Sequence, residues 1–332
     1  MGAVSKRGVL VLLCVLMAAF ALRLVLAWLL PPLLDVYYYD SQAVQALLHG
    51  QNPYGHLYAG VPGWLATPDA SSVFAYLPAV VLFLLPFGAV WDVRLGLIVA
   101  DLVVALSIAS LGGKAGKNAS LIFFLAPFDV LFSTSYPNNN LVAMCFLGLA
   151  AALEARGRRA ISATALGVSL AGSQFVWLLY PFFVHHYLRQ GWRREVLTSL
   201  AVAAAIMIPF LVWNPGAFVF DTVQFQFVRP VQHLLTPMPF GFNVDPTLDG
   251  IAFALFGVGV PLFLRAPVAA GALIAAVWKS KSLESVFFNA TWFLLIAVWL
   301  LPNDFSPWYL ELPFQTLLMW FALNRRRAPP NT

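Results

Sequence analysis

Along this 332-residue chain, long apolar runs alternate with short polar breaks, and the breaks hold most of the charge. A helix needs about 20 apolar residues to cross a bilayer, because backbone polar groups cannot stay unpaired in hydrocarbon. Short loops rich in Lys and Arg stay on the cytoplasmic side. Applied together, these rules give about ten spans, near residues 8–34, 95–111, 118–135, 139–154, 161–173, 175–188, 196–213, 260–278, 284–301 and 308–323. Both termini are then cytoplasmic. The stretch from Tyr76 to Trp91, which contains Pro78 and Pro86, is expected to dip into the outer leaflet as a short helix and return. Letting it cross would give eleven spans and move several basic clusters outside. The segment 161–188 must cross twice in two short pieces, as happens where irregular backbone lines a cavity.

The pattern therefore predicts an all-α polytopic membrane protein, with residues 1–332 forming one integral membrane domain. Two long extracytoplasmic segments emerge. The first, 35–94, carries surface helices and the re-entrant stretch; the second covers 214–259. Within the first, the spacing from Asp40 to Leu48 predicts an amphipathic helix lying on the membrane and ended by Gly50. The run Gly8–Leu34 is too long for a signal peptide and is expected to remain as the first span.

Composition agrees with this picture. The chain is 61% hydrophobic and 10% charged, with a mean hydropathy of +0.81. A soluble domain carries roughly 25% charged residues. The net charge of +5 comes from clusters at the breaks, among them Lys6–Arg7, Arg156–Arg159 and Arg325–Arg327. That placement argues for membrane orientation and against nucleic acid as a partner. Cys14 and Cys145 sit in apolar runs with no metal-ligand spacing. Most acids fall on the outer side: Asp35, Asp40, Asp69, Asp92, Asp221, Asp245, Asp249 and Asp304. A site that needs carboxylates would face outward.

Asp35 ends the first apolar run, where a carboxylate costs free energy unless it is paired or used. Tyr38 and its neighbours follow it, then Asp40, then Gly50 with Pro53 and Tyr54. From here the sequence resembles the GT-C glycosyltransferases that use polyprenyl-phosphate sugars. The dolichyl-phosphate-mannose-dependent enzymes, including the type that adds the first mannose to GPI precursors, are the most similar. The resemblance runs along the chain in order. It includes Tyr76 before Pro78, Asp101 with Leu102, and Ala126–Pro127 leading to the turn of Pro137, Asn138, Asn139 and Asn140. It continues through Ser173–Gln174, Arg229 with Gln232, and the Trp308–Tyr309 segment that follows Asp304. The chain departs from the family in three places. A second acid is missing at Tyr37, Asn140 stands where an Asp is common, and Gln174 stands where a Lys is.

The resemblance implies a multi-pass hexosyltransferase, mannosyl or other, in the plasma membrane or an ER membrane, with an extracytoplasmic site. The donor is a polyprenyl-phosphate sugar, the acceptor a glycan or glycolipid, and membrane lipids surround both. Asp35 is the expected general base of an inverting displacement, with Asp40 as second catalytic acid. Substrate contacts are expected at Tyr38, Tyr54, Tyr76, Asn139, Asn140, Gln174, Arg229, Gln232, Asp304, Trp308 and Tyr309, with Arg229 facing the leaving phosphate. No cofactor is called for, and the shortage of carboxylates weakens the case for a divalent cation. The alternatives are a lipid or small-solute transporter or flippase, and a catalytically inactive membrane subunit.

Overall fold

The computed structural model describes residues 6–58, 73–225, 247–301 and 307–327, and among these every regular element is helical. Helix α1 (Lys6–Leu29) stops before Pro31 and Pro32, which lack an N–H to continue the ladder. The first span is thus shorter than the expected 8–34. Helix α2 (Asp35–Leu48) starts five residues earlier than its apolar spacing implied. Asp35 in its first turn complements the helix dipole. Gly50, at φ 71°, ends the segment where a left-handed residue is needed.

Helix α3 (Pro78–Val90) has Pro78 in its first turn and only 13 residues, fewer than a crossing needs. Helix α4 (Val93–Leu111) is capped by Asp92 and forms the centre of the bundle. It packs against α1, α3, α5 (Gly113–Leu125) and α7 (Asn140–Glu154). Between α4 and α5 the chain reverses at Gly112–Gly113. A Cβ on Gly112 would lie 2.0 Å from the Ala322 carbonyl oxygen. Pro127 then opens α6 (Pro127–Ser133), and α5 and α6 meet at a 60° bend.

Helix α8 (Arg159–Leu170) runs antiparallel to α7. Ser162 bonds the Ala150 carbonyl near the end of α7, and Ser169 bonds that of Ala143 near its start. Helix α9 (Gln174–Arg189) follows a break at 171–173, where the sequence placed the boundary between its two short pieces. Then come α10 (Arg193–Trp213) and α11 (Pro215–Val219), which continues into a π turn over Phe220–Gln224. Next are α12 (Leu248–Phe256), α13 (Leu262–Lys279) and α14 (Leu283–Leu300). A 3₁₀ turn over Pro307–Leu310 leads into α15 (Glu311–Arg327).

Five of the described helices are long and apolar enough to cross a membrane (α1, α4, α10, α13 and α14), or six if the bent α5–α6 pair is one span. Helices α3, α7 and α8 are apolar but shorter. The packed core lies in α4, α7, α8 and α15, whereas α10 and α13 leave most of their apolar surface exposed. Such surface suits hydrocarbon rather than water. One charged group sits deep in the core. Arg23 of α1 pairs with Asp101 of α4 and Asp129 of α6, each at 3.0 Å. It also donates to the Phe124 carbonyl and lies over the Phe124 ring.

Candidate functional site

Three consecutive asparagines organise one end of the bundle. They sit in the turn between α6 and α7, and each reaches a different helix. Asn138 Nδ2 donates to Glu311 Oε2 at the start of α15. Asn139 Nδ2 donates to Asp40 Oδ1 of α2 at 3.0 Å. Asn140 Oδ1 accepts from Ser173, the cap of α9, at 2.8 Å. The turn itself is fixed by the backbone: Asn138 N–H donates to the Phe132 carbonyl, and Leu33 N–H to that of Ser135. Asn138 Oδ1 accepts in turn from the Asn140 N–H.

This hub places α2 directly on the bundle. Asp40 is 1% exposed, and its Oδ2 has no protein partner. Burial pushes its carboxyl up to about 8; the nearby Asp35 adds to the rise and the Asn139 hydrogen bond opposes it. Asp35 is half-buried at the first position of α2, where its Oδ1 accepts from Val36 N–H. Five residues at 3.6 per turn put the two acids about 140° apart around the helix, so they face different surroundings. Tyr38 is half-buried beside Tyr37.

Helices α7 and α9 run parallel. Asn140 and Ser173 join their first turns, and His186 Nε2 meets Glu154 Oε1 at 2.7 Å near their other ends. Both helices therefore turn the positive ends of their dipoles toward one cleft. The cleft is narrow, about 20 Å³. Asn140, Ser173 and Tyr309 line it together with Phe175, Leu294 and Leu312. Tyr309 packs against Phe175 at 5.4 Å between ring centroids. Among the described residues, none that lines the cleft is charged.

Other residues expected at the site have packing partners. Tyr54 is buried, donates to the Tyr76 carbonyl at 2.8 Å and meets Phe74, Phe210 and Phe218 edge-on or tilted. Tyr76 is half-buried against Phe74. Gln174 Nε2 donates to the carbonyls of Ala75 and Thr222 at 2.9 and 3.1 Å. It ties the segments 35–94 and 214–259 together where the resemblance placed a phosphate contact. Trp308 lies in the 3₁₀ turn beside Tyr309. Arg229, Gln232 and Asp304 lie outside the described residues.

Of the other cations near these segments, Arg94 is held by Asp92 and the Leu30 carbonyl, and Arg265 by the Leu300 carbonyl and Asp249. Among the described residues, no group of three or more His, Cys, Asp or Glu could hold a metal ion. Sequence reasoning missed Glu311 and Ser173 as members of the site. Glu311 carried a usable signal, because a carboxylate inside an apolar last span is expensive. Ser173 carried none, since its role depends on which helix end lies opposite.

The described helices form an all-α fold with five or six helices long and apolar enough to cross a membrane. In overall shape the chain is similar to ArnT from Cupriavidus metallidurans bound to undecaprenyl phosphate, with a TM-score of 0.63 and 13% sequence identity. The match covers 98% of this chain and 61% of that one. The same ArnT in the apo state gives a TM-score of 0.60 at 13% identity, covering 97% and 60%. The chain thus spans about three-fifths of the length of the solved structures it matches. No protein-family model matches it, and no curated protein shows a significant sequence match.

Proposed function

We propose that the chain is a membrane glycosyltransferase that moves a sugar from a polyprenyl-phosphate donor to a lipid-linked or surface glycan. One observation carries the reading: nearly the whole chain follows the fold of a protein solved with undecaprenyl phosphate bound. The site agrees with it. A donor of this kind has its tail in the bilayer and its sugar at the surface, so its enzyme must work where helices end. Here two helix N-termini face a cleft with no charged lining among the described residues, beside a segment that begins with Asp35 and packs through Asp40. The positive helix ends favour a phosphate nearby.

In this reading the site faces the extracytoplasmic side and both termini are cytoplasmic. The sugar is a hexose, with mannose the first to try. Asp35 takes the proton from the acceptor hydroxyl as that oxygen bonds the anomeric carbon, and the lipid phosphate leaves from the opposite face with the bonding pair. A phosphate leaves as an anion and needs positive charge rather than a proton; Arg229 supplies it. Asp40 stays protonated and offers a hydrogen bond through Oδ2 rather than taking a proton.

The test compares release of polyprenyl phosphate by purified wild type, Asp35→Asn and Asp40→Asn in liposomes. General-base catalysis contributes about 10²–10⁴-fold, so Asp35→Asn is expected to lose that much. Asp40→Asn keeps an N–H donor and is expected to lose less. Full activity in Asp35→Asn would remove Asp35 as the base.

A further inference from the structure

Glu311 has no role in the reaction above, yet it is a carboxylate with 1% exposure at the first position of α15. Burying a charge is costly unless something is gained by it. What it touches is the Asn138 amide. Glu311 Oε2 is the acceptor for the Asn138 NH₂ group, and Asn138 Oδ1 accepts from the Asn140 N–H at 3.1 Å. With Asn138 held at both ends, the peptide carrying Asn139 has one position, and Asn139 Nδ2 meets Asp40 Oδ1. Asp40 Oδ2 is then the open oxygen.

We infer that Glu311 is a positioning residue, acting through Asn138 and Asn139 to hold Asp40 with Oδ2 as its open oxygen. The role of Asp40 rests on the glycosyltransferase reading; the hydrogen-bonded chain from Glu311 to Asp40 does not. Asp35 is the other titratable group that acts on Asp40, and it stays unchanged in every variant below.

The experiment follows Glu311→Gln, Glu311→Ala, Asn139→Ala and the Glu311→Ala/Asn139→Ala double variant by two readouts. The first is the infrared carbonyl band of protonated Asp40, identified by its absence in Asp40→Asn and titrated with pH. The second is kcat and KM for sugar transfer. Glu311→Ala is expected to move the titration midpoint and to lower kcat by up to about 10²-fold, the scale of a small misplacement at a reacting centre. Glu311→Gln keeps an acceptor for Asn138 and is expected to stay within a few-fold of wild type with its midpoint unmoved. The double variant should be no worse than the more damaged single variant, because both act along one path. Equal losses in the Gln and Ala variants would overturn the inference, because the charge itself would then be required. A midpoint that Glu311→Ala leaves in place would overturn it too. If wild type transfers no sugar but the infrared titration behaves as expected, the positioning role stands and the glycosyltransferase reading falls.

Discussion

Asp40 makes the stability of this protein depend on pH in an unusual direction. Its carboxyl titrates at about 8 in the folded chain and at its ordinary 3.8 when exposed. Between those values the folded state keeps a proton that the unfolded state has lost, so stability falls as pH rises through the window. The slope is about 1.4 kcal/mol per pH unit and flattens above about 8. Asp40→Asn keeps the acceptor for Asn139 without the proton, so thermal unfolding in detergent should show a higher Tm near pH 8 and a flatter profile below it. Arg23 gives the opposite case. It is a single cation against Asp101 and Asp129, and Arg23→Met leaves two buried carboxylates uncompensated. The expected loss is about 3–5 kcal/mol, read by denaturant unfolding or by failure to accumulate. The sequence marked Asp35 as costly where it stands, and set Arg23 and Asp101 inside apolar runs. It could not show which of them meet, since Arg23 and Asp129 are 106 residues apart in the chain.

Helix ends were the best-marked elements in the sequence, where a residue with a fixed backbone preference stood at them. Gly50 lies where the α2 segment closes, whereas the expected span 118–135 ran through Pro127, where α6 opens at a 60° bend. The start of α2 at Asp35 was missed, because Tyr37–Tyr39 reads equally well as an interfacial belt. Among the described glycines, Gly112 leaves the least room for a side chain, where α4 turns into α5 against the backbone of α15. Gly112→Ala puts a methyl group on the Ala322 carbonyl and forces α15 outward. Overpacking of this kind costs about 1–3 kcal/mol. The variant should unfold earlier in thermal melts, whereas Gly113→Ala places its Cβ in open space and strains only a backbone at φ 43°.

At the scale of the whole molecule, the segments 35–94 and 214–259 are fastened to each other as well as to the bundle. Gly55 N–H donates to Asp221 Oδ2 at 2.8 Å, Tyr54 fills a pocket of Phe210 and Phe218, and Gln174 bridges the carbonyls of Ala75 and Thr222. Gln174→Ala removes both bridging bonds and is expected to raise proteolytic cutting in these segments before the bundle itself loosens. That coupling was illegible in the sequence, which presents 35–94 and 214–259 as separate loops. The helical fold was legible earlier, because long apolar runs between basic breaks call for membrane-length helices. The measurement that decides the account is sugar transfer by wild type in liposomes, from a panel of polyprenyl-phosphate hexoses and a parallel panel of nucleotide sugars. The account predicts product from at least one polyprenyl-phosphate donor, with inverted anomeric configuration and none from the nucleotide sugars. Transfer from a nucleotide sugar, or a product that retains the donor's configuration, would contradict it.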